Sequence, residues 1–294
     1  MDPEQGAGRR GPSQPEILPP GTYPDSGQEQ PEPRGWYPPP QPPPRPRRHW
    51  ASAPATYTLV GINCAVFLAM TLAGVSIVSP TGQQILNWGG NNGTLVLMYG
   101  QWWRLVTAMF VHIGIVHLAT NMWCLWNLGL LGEPLLGEFG LVAAYVLTGF
   151  AGNLLSVAVR PGVPGGAESI VGAGASGAVF GLAGVILMLL RSPLLPIPQP
   201  ELKKLRRSVW YFAILNFVIG AGVWLARTSV QIDNMAHLGG FLSGVALGVP
   251  LLPRIGAPRD RFVRRRAFAV GIMVFALLLI AWGLRAFYQT AAAG

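Results

Sequence analysis

Ser176 and His237 are the two side chains whose chemistry most needs an explanation. Ser176 lies in Gly172-Ala173-Gly174-Ala175-Ser176-Gly177 and His237 in Ala236-His237-Leu238-Gly239-Gly240, both within apolar runs. A serine hydroxyl is a poor nucleophile until a base within hydrogen-bond reach takes its proton. His237 suits that task, because imidazole titrates near neutrality. His112, His117 and Asn121 are further polar groups in apolar surroundings, where each carries a cost. His117 and Asn121 are four apart, so on a helix they share one face. The Asn121 amide, a ring N–H of His117 and the Ser176 backbone N–H are donors of the type a tetrahedral oxyanion needs. An isolated Ser in such a helix would bond back to its own backbone. The company Ser176 keeps argues for nucleophilic chemistry instead.

These residues need elements that bring them together. The chain has 294 residues, 51% hydrophobic and only 11% charged, whereas a soluble domain carries about a quarter charged residues. Lipid is therefore the expected main solvent. Apolar runs of bilayer-spanning length are expected near residues 57–78, 112–131, 139–159, 172–190, 209–226, 234–252 and 267–288. The expected fold class is all-α, a polytopic membrane helix bundle of about seven spans. The second, fourth and sixth spans run in the same direction. His117 and Asn121, Ser176, and His237 each fall near the start of one of them, hence at similar depth. Gly177 and Gly181 on the fourth, and Gly240, Gly244 and Gly248 on the sixth, have the small-residue spacing that lets membrane helices approach closely.

Orientation follows from the 21 basic residues. With the N-terminus cytoplasmic, all but Arg104, Arg160, Arg227 and Arg285 fall in cytoplasmic segments, the distribution of a multi-pass membrane protein. The C-terminus is then extracytoplasmic. Separate juxtamembrane clusters suit anionic lipid and exclude a nucleic-acid partner. Residues 1–50 are Pro-rich and expected to form a disordered cytoplasmic tail, with no apolar run of the kind a cleaved leader needs. Residues 51–253 form the expected core, and 254–294 a basic loop followed by the seventh span. The long connection 79–103, with Trp88, Trp102 and Trp103, is expected to lie in the membrane interface. Asn92-Gly93-Thr94 fits a glycosylation sequon, but a plain turn is the preferred reading. Cys64 and Cys124, each alone in an apolar run, are read as buried small apolar residues.

Gly174-Ala175-Ser176-Gly177 resembles the GxSG motif of rhomboid proteases, and Ala236-His237-Leu238-Gly239-Gly240, continuing to Gly244, resembles their AHxxG(xxxG) motif. His112, His117 and Asn121 match HxxxxHxxxN; Gln101-Trp102-Trp103-Arg104 matches the WR element; Gly129, Glu133 and Gly137 fit GxxxExxxG, expected after the second span. The resemblance covers about residues 55 to 253. It implies a six-helix rhomboid core plus a C-terminal seventh transmembrane helix, without cofactor or metal. It further implies an intramembrane serine endopeptidase acting on transmembrane protein substrates near the outer face. Ser176 would be nucleophile and His237 base; Asn121 and His117, with Gly174, would shape the oxyanion pocket. His112 would brace the first loop, Trp103 and Arg104 would anchor it, and Glu133 would hold a buried hydrogen-bond network. Gly177, Gly240 and Gly244 belong to the structural motif. Phe180 stands where many members place a Tyr against the His. Asp233, four residues before His237, is read as a helix N-cap rather than the third member of a triad. The alternative is a catalytically silent relative that binds membrane clients. A channel would need polar residues through the full bilayer depth, and no histidine is followed by the Glu of a zinc-protease motif.

Overall fold

The computed structural model describes residues 53–162, 171–192, 195, 197–225, 233–251 and 259–293. The expected Pro-rich tail, Arg227 and Arg254 lie outside them. The described residues form ten α-helices: α1 (Pro54–Leu72), α2 (Gly82–Asn87), α3 (Gly93–Leu97), α4 (Arg104–Thr107), α5 (Ile115–Leu136), α6 (Glu138–Val159), α7 (Ser176–Leu189), α8 (Gln199–Leu225), α9 (Asn234–Gly248) and α10 (Arg259–Ala293). Helices α1 and α5–α10 fall on the seven expected spans. Their ends differ from the sequence reading in ways that matter. His112 lies before α5, Glu133 lies inside α5 rather than after it, and residues 172–175 precede α7 instead of opening it.

The protein is a multi-pass membrane helix bundle. α1, α6 and residues Asp260–Thr290 of α10 are long and apolar enough to cross a bilayer. By contrast, α7 has 14 residues, about 21 Å at the helical rise, short of a hydrocarbon core of roughly 30 Å. It tolerates this because it is the central helix, buried along almost its whole length against α5, α6, α8 and α9. Around it, Leu68 and Leu72 on α1, Tyr211 and Leu215 on α8, and Phe275 and Trp282 on α10 face outward. Apolar outer surfaces of this kind belong in lipid rather than water. Cys64 shares that outer surface and Cys124 is half-buried, which corrects the reading of both as buried. The apolar character of their runs reflects lipid contact as much as core packing.

Two contacts set the frame. The first turn of α1 leaves backbone N–H groups without intrahelical partners, and Ala53 supplies no side-chain cap. The Glu133 carboxylate fills that role from α5, accepting from the backbone N–H of Ala55 (3.0 Å) and Thr56 (2.8 Å) and from Thr56 Oγ1 (2.7 Å). Gly129, one turn earlier, leaves the space Thr56 occupies. The second contact joins α7 to α9. A Cβ on Gly240 would overlap the Gly177 carbonyl, and one on Gly244 the Gly181 carbonyl. The backbones therefore touch, as small residues at fourfold spacing allow.

Candidate active site

The segment before α7 is held by the connection between α1 and α5, which folds into α2, α3 and α4. Arg104, at the start of α4, is buried despite its charge. Its Nη1 donates to the carbonyls of Leu86 (2.7 Å) and Gly90 (2.9 Å), and its Nε to Gln101 Oε1 (2.6 Å). Burial lowers its pKa below the ordinary value, but a guanidinium keeps its charge, and these acceptors compensate it. Trp103 lies over the guanidinium at 4.5 Å and is itself half-exposed, as an indole at the membrane interface would be. Asn92 is buried and caps α3 by accepting from the Leu95 N–H (3.0 Å), so the sequon is a helix start.

This loop then grips the segment leading to Ser176. Asn91 and Gly172 form an antiparallel bridge, with N–H to carbonyl distances of 2.7 and 2.8 Å, and the Gly174 N–H donates to the Ala108 carbonyl at 2.9 Å. His112 is fully buried. Its Nδ1 lies 3.3 Å from the Phe110 carbonyl, which fixes the hydrogen there, and its Nε2 accepts from the Ala175 N–H at 3.4 Å. His112 thus braces the turn carrying Ser176.

Ser176 opens α7, ahead of that helix's first backbone bond from Val179 to Ala175 (2.9 Å). Its N–H belongs to the unpaired first turn, which favours developing negative charge. His237 closes the first turn of α9, its N–H donating to the Asp233 carbonyl at 3.1 Å. Its Nε2 is 2.8 Å from Ser176 Oγ. The Phe180 ring, one turn after Ser176, stacks on the imidazole at 4.3 Å and 12°. The Nδ1 of His237 is buried without a hydrogen-bond partner among the described residues. Asp233 does not reach it: its carboxylate accepts from the Ala236 N–H (3.1 Å) as N-cap of α9, from Ser156 Oγ on α6, and pairs with Arg160 at 3.8 Å. The arrangement is a pair, Ser176 and His237, backed by an aromatic face.

Donors stand on the other side. His117 Nδ1 accepts from the Ile113 N–H at 3.3 Å, so the ring hydrogen sits on Nε2. Asn121 Nδ2 uses one hydrogen on the His117 carbonyl (3.0 Å) and keeps a second. Both converge on Gly174, where a Cβ would lie 2.9 Å from His117 Nε2 and 3.7 Å from Asn121 Nδ2. Gly174 also has φ +123, which L side chains rarely adopt. A side chain there would be strained and would fill the donor pocket.

A cavity of about 460 Å³ opens over this site, bounded by Ser176, His237, His117 and Asn121 and walled by apolar groups including Val78, Ile113, Val179 and Phe212. It can take an extended peptide with apolar side chains and present one carbonyl to Ser176 Oγ. Two parts of it escaped sequence reasoning. Phe212 and Asn216 bring α8 to the cavity. Asn153 brings α6, its Nδ2 donating to the Leu105 carbonyl at 2.9 Å and its backbone carbonyl accepting from Asn91 Nδ2, while Ser156 reaches the site through Asp233. Their polarity within an apolar span was the available signal.

A profile of the rhomboid domain matches residues 99–254. The chain is 29% identical over 226 residues to the rhomboid protease GluP of Bacillus subtilis (strain 168), covering 76% of this chain and 40% of that protein. It is 32% identical over 175 residues to the mitochondrial RHOMBOID-like protein 6 of Arabidopsis thaliana, covering 60% and 52% respectively. It is also 29% identical over 191 residues to Rhomboid-like protease 2 of Toxoplasma gondii, covering 64% and 62%. The chain spans about half the length of these relatives.

Proposed function

The chain belongs to the rhomboid family, and on that premise we propose that it is an intramembrane serine endopeptidase cleaving transmembrane protein substrates near the outer face. The observation that carries the proposal is the 2.8 Å contact between Ser176 Oγ and His237 Nε2, at the floor of a cavity wide enough for a peptide.

In this reading His237 Nε2 takes the Ser176 proton as Oγ attacks the scissile carbonyl. The oxyanion forms near Gly174 and receives hydrogen bonds from His117 Nε2–H, the second Asn121 amide hydrogen and the Ser176 N–H. His237 returns its proton to the leaving amine, and the same base then activates the water that hydrolyses the acyl-enzyme. The site lies at the starts of α5, α7 and α9. Arg191, Lys203, Lys204, Arg206 and Arg207 follow the far end of α7 or open α8, so positive-inside placement puts the site in the outer leaflet.

The test is cleavage of a model transmembrane substrate in proteoliposomes. The proposal expects cutting by the wild type and none by Ser176→Ala or His237→Ala. Cutting by Ser176→Ala would overturn the mechanism. A wild type that binds such substrates without cutting any would favour the client-binding alternative.

A further inference from the structure

The first turn of α9 carries His237, yet this turn is not secured by α7 alone. Asp233 precedes it and holds three separate groups. Its carboxylate caps the Ala236 N–H, accepts the hydroxyl of Ser156, and pairs with the Arg160 guanidinium. Ser156 lies in the last turn of α6 and Arg160 directly follows it, where the Arg160 N–H closes the helix on the Ser156 carbonyl at 3.0 Å. One turn earlier the two helices are in backbone contact, since a Cβ on Gly152 would overlap the Ala236 carbonyl. On its other side the same Asp233 carbonyl accepts the His237 N–H.

We propose that Asp233, clamped by Ser156 and Arg160 at the C-terminal end of α6, is a positioning residue that holds the first turn of α9 so that His237 Nε2 meets Ser176 Oγ. The inference rests on the endopeptidase reading above and deepens it by assigning a role to a carboxylate outside the reacting pair. The need for such a device is visible in His237 itself. Its Nδ1 has no partner among the described residues, so no hydrogen bond to the ring sets its direction from behind. Stacking on Phe180 fixes the plane of the imidazole, but a ring can slide along a stacked face. Its reach toward Ser176 is then set by where the backbone of α9 begins, and Asp233 determines that. The α6 residues matter because a cap bonded only to its own helix would travel with that helix.

The test uses the full chain in detergent micelles, with Asp233→Ala, Asp233→Asn and Ser156→Ala. Rates of Ser176 labelling by a fluorophosphonate are measured, with kcat and KM for a transmembrane peptide substrate. Asparagine caps helices about as well as aspartate: its Oδ1 can accept from the Ala236 N–H, while its Nδ2, standing where the second carboxylate oxygen was, donates to Ser156 Oγ. The expected result is a labelling rate and kcat lowered roughly tenfold or more in Asp233→Ala, because an ångström of misplacement costs about a hundredfold. KM should stay within about twofold, Asp233→Asn should recover most of the rate, and Ser156→Ala should fall between. A wild-type rate in Asp233→Ala overturns the inference while leaving the endopeptidase reading intact. So does a loss expressed in KM alone, or equal losses in the Ala and Asn variants. A wild type that is neither labelled nor active would refute the endopeptidase reading, and hydrogen exchange across residues 233–240 would then decide the clamp separately. Protection lost in Asp233→Ala and retained in Asp233→Asn supports it; protection unchanged in both overturns it.

Discussion

Because Phe180 lies 4.3 Å from the His237 ring at 12° and Nδ1 has no acceptor among the described residues, the direction of the base depends on a face-to-face contact. Stacking of this kind is worth about 0.5–1.5 kcal/mol beyond the area it buries. Phe180→Leu keeps an apolar group of similar bulk and removes the ring. It is expected to slow fluorophosphonate labelling of Ser176 by roughly two- to tenfold alongside a modest loss of thermal stability from the ring carbons removed at this buried position, and single-turnover labelling at a temperature well below the melting point would measure it. Gly174 makes the opposite point. With φ +123 and two donors facing the position of an added Cβ, Gly174→Ala places a methyl group where the oxyanion would sit. Loss of cleavage there should far exceed any loss of stability, and activity compared with the melting temperature separates the two.

At the scale of elements, the account depends on the contact of α7 with α9. Gly244→Ala would push against the Gly181 carbonyl, whereas Gly283 on α10 has nothing within 4 Å of an added Cβ. Overpacking of a close interface costs about 1–3 kcal/mol. Gly244→Ala is thus expected to lower the melting temperature in detergent by several degrees, and Gly283→Ala to leave it unchanged. The glycine spacing behind this contact was legible in the sequence, because fourfold repeats on two apolar helices are local patterns. So were the helices that carry Ser176, His237 and Asn121. What could not be read was how the first loop holds the segment before α7. The bonds from Arg104 to Leu86 and Gly90, the bridge between Asn91 and Gly172, and His112 on Ala175 join residues far apart in sequence with no period to mark them. The part taken by α6 was hidden for a related reason. Asn153 and Ser156 stand out only as polar residues in a span, and their partners lie on other elements.

At the scale of the molecule, the seventh span is fastened at both ends. Arg266 Nη1 donates to the Leu136 carbonyl at 2.6 Å, and near the other end of α10 the Tyr288 hydroxyl donates to the Ala158 carbonyl at 2.8 Å. Tyr288 thus meets α6 close to Arg160, at the same end of the bundle as Ser176. On the proposed placement of the site in the outer leaflet, Gln289→Cys in a background lacking Cys64 and Cys124 should react with a membrane-impermeant maleimide on intact cells. Arg261→Cys should react only after permeabilisation, and the reverse pattern would invert the topology. The central claim is chemical, and one measurement reaches it directly: mass-spectrometric mapping of a fluorophosphonate adduct on the full chain in detergent, with His237→Ala alongside. The account predicts an adduct on Ser176 in the wild type and none when His237 is replaced. An adduct on another residue, or undiminished labelling of Ser176 without His237, would contradict it.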